Sequence, residues 1–387
     1  MLVGSENPPY ENLALTQVLN GITGTQYSLV YLFDGGIMRH PALHAACTLL
    51  LACALPAYAN IAVSVTPEQN TLGKGDEVNV TVTLTNTGAT PQRLLKWRTP
   101  FVPAEHALFH ITRDGQPVRY LGRHVKRAAP TDADYIVLAP GESRSARVEL
   151  SSLYEMQVTG AYSVRYLTSN PAPSAKAGAG SQLVISDLAS NPAAIWIEGR
   201  LPRGSAVPQL SATPAASAGL TFSSCSNAQQ ASITNAFAAG TAMAAGGLEY
   251  LTSRKQQGQR YVNWFGPHDA TRVATVTNNF TAIKDGFETK PVKVDCGCNE
   301  PYFAYVYPAQ PYNIYVCRAF WTAPLTGTDS MGGTLLHEMS HFNVVAGTDD
   351  HVYGQTGAAD LARTSPERAI NNADSHEYFG ENTPSLP

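Results

Sequence analysis

The sequence is poor in charge. Only 14% of its 387 residues are Asp, Glu, Lys or Arg, and the formal net charge is −4. A chain without a basic excess has no electrostatic footprint for nucleic acid, which removes that class of partner. It also lacks a long hydrophobic run. The most apolar stretch, within "MRHPALHAACTLLLACALPAYA" at residues 38–59, is too short and too weakly flanked for stable membrane anchoring. Cysteine is sparse as well, with six in all. What is present in quantity is length, enough for two domains with a core each.

Residues 38–59 carry the parts of a secretory signal: Arg39, an apolar stretch over 45–55, and small Ala57 and Ala59 before Asn60. Met38 then reads as the natural start, residues 1–37 as a non-native upstream extension, and the exported chain as beginning at Asn60. Export implies a secreted or periplasmic protein in an oxidising compartment. Cys47 and Cys53 leave with the signal, so Cys225, Cys296, Cys298 and Cys317 remain for two disulfides with three connectivities. Cys296 and Cys298 are too close to bridge each other comfortably. A Cys-Gly-Cys zinc site is the competing reading.

Residues 60–200 read as an antiparallel β domain. "IAVSV" and "EVNVTVTLTN" alternate apolar and polar residues, and "ALFHITR", "DYIVLAP", "RSARVEL" and "GAYSVRYLTS" are further strands separated by turn residues. The pattern fits a β-sandwich, and "TGAY" before "SVRY" is like the entry to a late strand of an immunoglobulin-like fold. Residues 201–219 have linker composition. Residues 220–387 change character. Ala-rich "SNAQQASITNAFAAGTAMAAGGLEYLTS" predicts a helix capped by Ser226 or Asn227 and divided near Gly246, while "VKVDCGC" and "YFAYVYP…YNIYVC" predict a small sheet. Residues 60–217 hold 15 Lys and Arg against 12 Asp and Glu, and residues 218–387 hold 10 against 15. The first region is slightly basic and the second acidic.

The chemistry concentrates in "DSMGGTLLHEMSHFNVVAGTDDHVYG". His337 and His341 are four apart, hence one turn apart on one helical face, with Glu338 at its edge. Two imidazoles at this spacing hold zinc, and a carboxylate between them can take the proton of an activated water. Asp329 or Ser330 can cap the helix, Leu335, Leu336, Met339 and Phe342 can pack inward, and Gly347 is expected to end it. A zinc held by two His needs a third protein ligand. Asp349, Asp350 and His351 all lie just beyond the turn, and position does not choose among them.

"HEMSH" followed by "GTDDHVYG" resembles the paired HExxH and GTxDxxYG signature of the aspzincins, the deuterolysin and peptidyl-Lys metalloendopeptidase family. The likeness extends over roughly residues 220–387 and includes "RYVNWFG". It implies a mainly helical zincin-like metalloprotease domain with a small β-sheet and one Zn2+ on His337, His341 and Asp350. It further implies Glu338 as general base, Tyr353 near the oxyanion, and disulfides Cys225–Cys296 and Cys298–Cys317. In "NNADSHEYFGE", Asp374 and Glu377 are three apart. The resemblance implies that they receive the ammonium of a lysine following the cleaved bond, the alternative being a solvated acidic patch. His376 stands where relatives more often carry Tyr, and a protonated imidazole there would weaken the pocket's negative potential.

The expected function is thus a secreted zinc metalloendopeptidase acting on protein or peptide substrates. The N-terminal domain is expected to serve as a propeptide that assists folding or covers the cleft, or as an attached accessory module. Other readings are a surface-binding or adhesion protein with a degenerate peptidase domain, and a zinc amidase acting on cell-wall peptides.

Overall fold

The structure is a computed structural model that describes residues 60–173, 183–207, 219–253 and 258–387. The signal and upstream segments lie outside these, as does much of the linker. The alternating segments form strands as expected. Ile61–Pro67, Asn79–Asn86 and Ser143–Glu149 make a three-stranded antiparallel sheet in that order. In Asn79–Asn86 the residues Val80, Val82 and Leu84 are fully buried, while the threonines between them are half-exposed. A six-stranded sheet is organised around the long strand Gly160–Pro173, which pairs antiparallel with Phe109–Arg113, Ala193–Ile197 and Leu183–Ala189. Val80, Leu84, Phe109, Ile111, Tyr162, Val164 and Ile195 share one core between the two sheets.

The second region is mainly helical. Its helices are α1 (Asn227–Thr252), α2 (Gln259–Phe265), α3 (Ala270–Thr289), α4 (Met331–His341), α5 (Gln355–Thr364), α6 (Pro366–Ala369) and α7 (Ala373–Glu381). Ser226 caps α1 through a reciprocal bond pair with Gln229. The helix runs unbroken through Gly246 and Gly247, correcting the expected division. Packing overrides glycine's weak helix propensity here, since Gly247 abuts the Phe280 ring of α3. Where α1 crosses α4, a Cβ on Gly240 would come 2.9 Å from the Gly332 carbonyl oxygen, so the absent side chains let the helices touch.

Buried α4 packs against α1, α7 and α3. Ser330 caps it by accepting the Gly333 N–H at 2.9 Å. It ends at His341 with Phe342 in extended conformation, five residues before Gly347, whose φ of +60° serves the following loop instead. The expected glycine stop is therefore misplaced.

The small sheet has five strands. Gly219–Ser223, Pro291–Asp295 and Asn313–Val316 are parallel, and Ala304–Val306 joins antiparallel. The fifth strand, His124–Lys126, comes from the N-terminal β region and pairs antiparallel with Ala304–Val306. Disulfides Cys225–Cys296 and Cys298–Cys317 tie this sheet to the start of α1 and to its own edge loop, which displaces the Cys-Gly-Cys zinc reading. Among the described residues no helix is long and apolar enough to cross a membrane.

Candidate metal centre and lysine pocket

His337 and His341 project from one face of α4, and the loop after the helix returns Asp350 to them. The loop is pinned by Asn372 at the start of α7, whose Oδ1 accepts the N–H groups of His351 (2.9 Å) and Val352 (3.1 Å). Asp349 donates its N–H to the Asn371 carbonyl at 2.8 Å. Of the three candidates left open by the sequence, Asp350 is the one brought to both imidazoles. Its Oδ1 lies 3.2 Å from His337 Nε2 and 3.4 Å from His341 Nε2, and the two nitrogens are 3.1 Å apart.

These separations test the fit of a metal. Zinc bonds of about 2.0–2.1 Å in tetrahedral geometry place neighbouring ligand atoms about 3.3–3.4 Å apart. The triangle here matches to within a few tenths of an ångström. All three side chains are fully buried, and neither Asp350 oxygen has a hydrogen-bond partner among the described residues. A buried carboxylate lacking donors carries a large desolvation cost unless a cation compensates it. His341 Nδ1 donates to the Thr348 carbonyl at 2.8 Å, which leaves its Nε2 lone pair for a metal. His337 Nδ1 faces Asp374 Oδ1 at 3.0 Å and Glu377 Oε2 at 3.2 Å. Burial disfavours charge on both imidazoles, but Asp350, joined by Asp374 and Glu377 at His337 and by Glu338 at His341, offsets this and raises their pKa values. The Asp350 carboxyl is lowered by the same pair against the effect of burial.

Glu338 is fully buried beside the triad, and neither of its oxygens has a hydrogen-bond partner among the described residues. Burial pushes its carboxyl up to about 7, against the lowering effect of His337 and His341. A carboxyl titrating there can both take and return a proton near neutrality.

Asp374 and Glu377 project from one face of α7 and are fully buried, which overturns the solvated-patch alternative. Their partner is Lys126, from the His124–Lys126 strand. Its Nζ lies 2.5 Å from Glu377 Oε2 and 3.5 Å from both Asp374 Oδ1 and Asp329 Oδ1, with no exposure of the side chain. Burial opposes the ammonium charge, but Asp374, Glu377 and Asp329 hold its pKa well above the usual lysine value. One residue earlier, the Val125 carbonyl accepts the Tyr353 hydroxyl at 2.8 Å. Tyr353 is placed by Gly354, which has φ +82° and donates its N–H to Asp374 Oδ2 at 2.6 Å. Its ring meets Trp97 of the β region edge-on.

His376 does not weaken the pocket. It lies on the opposite side of α7, where Nδ1 donates to the Asn372 carbonyl and Nε2 accepts from Asn279 Nδ2. Its ring is parallel to Phe280. Burial lowers its pKa to about 4, so it is neutral at physiological pH. Sequence reasoning missed Asn372, Thr348 and Lys126. The one signal for Lys126 is a lysine in the basic run "RHVKR" of a region expected to cover a lysine-accepting cleft.

Fold and cluster together define a class: a zincin-like metallopeptidase with a buried cluster of histidines and carboxylates consistent with a single catalytic zinc, in which His124 joins His341 and Asp350, and His337 joins Asp374 and Glu377, closely enough to share an ion. Residues 250–381 match the family model for aspzincins, described as lysine-specific metallo-endopeptidase. An extracellular protease of Aeromonas hydrophila is 50% identical over 81% of this chain and 90% of its own length. A peptidyl-Lys metalloendopeptidase of Armillaria mellea is 33% identical over 80% of this chain and 88% of its own. Another of that name, from Pleurotus ostreatus, is 46% identical over 43% of this chain and 99% of its own. The chain belongs to the aspzincin family of zinc-dependent metalloendopeptidases.

Proposed function

We propose that the protein is an exported endopeptidase that cleaves before lysine and is held latent by its own N-terminal region. The observation that carries this reading is Lys126, fully buried between Asp374 and Glu377 with the preceding carbonyl on Tyr353. An ammonium seated in two carboxylates, on a strand added to a sheet edge, is how an extended substrate would bind. Residues 60–200 act as the covering prodomain, 201–219 as the linker and 220–387 as the peptidase. The prodomain is read as an immunoglobulin-like sandwich. Its two sheets share a core, and the Tyr162 hydroxyl donates to the Val158 carbonyl four residues upstream at 2.6 Å, in the manner of a tyrosine corner. The signal-like segment at residues 38–59 supports export to the periplasm or the medium.

His337, His341 and Asp350 would hold the metal, and zinc in such a cradle supplies Lewis acidity toward water and a substrate carbonyl. Glu338 accepts the proton of the attacking water and returns it to the departing amine. The Tyr353 hydroxyl donates to the carbonyl oxygen as negative charge builds there. Asp374 and Glu377 hold the lysine ammonium and thereby fix which bond lies beside Glu338.

The test is a digest of an unrelated denatured protein by the zinc-loaded, activated enzyme, with new termini read by mass spectrometry. Fragments beginning with Lys are expected. Cleavage without enrichment of Lys at the new amino termini would end the specificity proposal, and no cleavage by protein containing one zinc would end the proteolytic one.

A further inference from the structure

We infer that the Val125–Lys126 peptide bond is a cleavage site of the protein's own active centre, so that the first cut in the covering region is made by the chain on itself. The inference rests on the lysine-directed reading above and specifies which bond that centre meets first. Four observations converge on it.

The strand is in substrate register. Val125 pairs with Tyr305 on the antiparallel edge strand, and Lys126 fills the acidic pocket. The carbonyl before that lysine, not the one after it, accepts the Tyr353 hydroxyl. Chain direction is equally specific. The His124 ring sits 4.8 Å from the His341 ring, and two residues later Lys126 reaches α7, so the backbone crosses the triad at Val125. Glu338 is buried beside it with both oxygens free of hydrogen-bond partners among the described residues.

The fourth observation concerns the fate of the two new chain ends. Glu105 pairs with Arg123 on one side of the bond at 2.9 Å and with Arg127 on the other, and it accepts the Tyr302 hydroxyl at 2.5 Å. The Arg127 guanidinium also lies 4.2 Å over the Tyr302 ring and 4.6 Å over Trp97. One carboxylate thus clamps both ends. The cut alone would not empty the cleft, and the cleaved strand would remain seated until its surroundings are removed.

The step is a hydrolysis and needs only water. Hydroxide adds to the Val125 carbonyl carbon, the C–N bond breaks, and the proton goes to the Lys126 nitrogen. A Val125 carboxylate and a Lys126 amine result.

The experiment incubates the zinc-loaded full chain and follows intact mass and new termini. Two fragments meeting between Val125 and Lys126 are expected, with Glu338→Gln remaining whole there and Lys126→Met uncut at that bond. In the zinc-free Glu338→Gln chain, which cannot cut, the amides of residues 124–126 should be protected from hydrogen exchange, and Lys126→Met should lose that protection. If the wild type digests added lysine peptides while Val125–Lys126 stays intact, this inference falls and the proteolytic reading stands. If the zinc-loaded full chain stays whole while the activated enzyme digests lysine peptides, this inference alone falls, and if the activated, zinc-loaded enzyme cleaves nothing either, both fall. A cut after Val125 that persists in Lys126→Met, or unprotected amides in Glu338→Gln, would also overturn it.

Discussion

Glu377→Gln probes the lysine pocket with little change of shape, since the side chain keeps its size, loses its charge and exchanges one acceptor oxygen for an NH2 donor. In the closed chain the Lys126 ammonium is 2.5 Å from Glu377 Oε2, and neither side chain is exposed. At that distance the gross attraction is about 7 kcal/mol for an effective dielectric of about 20, most of which offsets removing the ammonium from water. Truncating one partner of a buried charge pair typically costs about 2–5 kcal/mol. Asp374 and Asp329 remain, each 3.5 Å from the ammonium, so the lower end applies. A loss of about 2–3 kcal/mol is a fall of about 30- to 150-fold in kcat/KM for peptides with Lys after the cleaved bond. The assay compares matched peptides carrying Lys or Met at that position, using activated enzyme of known zinc content. The Met peptide should change by no more than a few fold, because it makes no ion pair to lose. An unchanged Lys-to-Met ratio would refute the assignment of the pocket. A loss of zinc in the variant would instead place the effect at His337, whose Nδ1 lies 3.2 Å from the same oxygen.

The other expectations separate by role. Glu338→Gln should retain zinc and fold while turnover drops by about 10²- to 10⁴-fold, and near-normal turnover would remove it as the proton acceptor. Asp350→Ala should lose zinc as well as activity, measured by metal content after dialysis. Tyr353→Phe should keep zinc and lower kcat by about 10²- to 10³-fold, and an unchanged kcat would take the hydroxyl out of carbonyl stabilisation. His376, held to about 4 by burial, stays neutral in the folded chain while its unfolded counterpart protonates below about 6.5. Its contribution is therefore intact above that pH and falls by up to about 3 kcal/mol toward pH 4. In denaturant titrations His376→Gln should flatten this acid-side slope without altering lysine preference, and an unchanged slope would contradict the account.

How far the sequence can be read depends on how local each device is. The i, i+4 imidazoles of α4 and the i, i+3 acids of α7 were legible because helical geometry alone sets which side chains share a face. Alternation disclosed the strands for the same reason. Gly246 and Gly347 misled because propensity is weak beside packing: α1 is carried through its glycines by contact with α3, and α4 stops where Phe342 turns extended. His376 misled because its charge depends on burial against Phe280 and Asn279, neither of which is near it in sequence.

By itself the sequence determined the kind of chemistry: a helix able to present two imidazoles and a carboxylate, a second helix with two acids on one side, and a β region ahead of them. Only the tertiary structure decided that Asp350 rather than Asp349 or His351 completes the triangle, because Asn372 pins the loop from another element. It alone also placed Lys126 in the acidic pocket, across 251 positions of chain. Residues that far apart meet through the packing of two folded regions, and no local periodicity records that meeting.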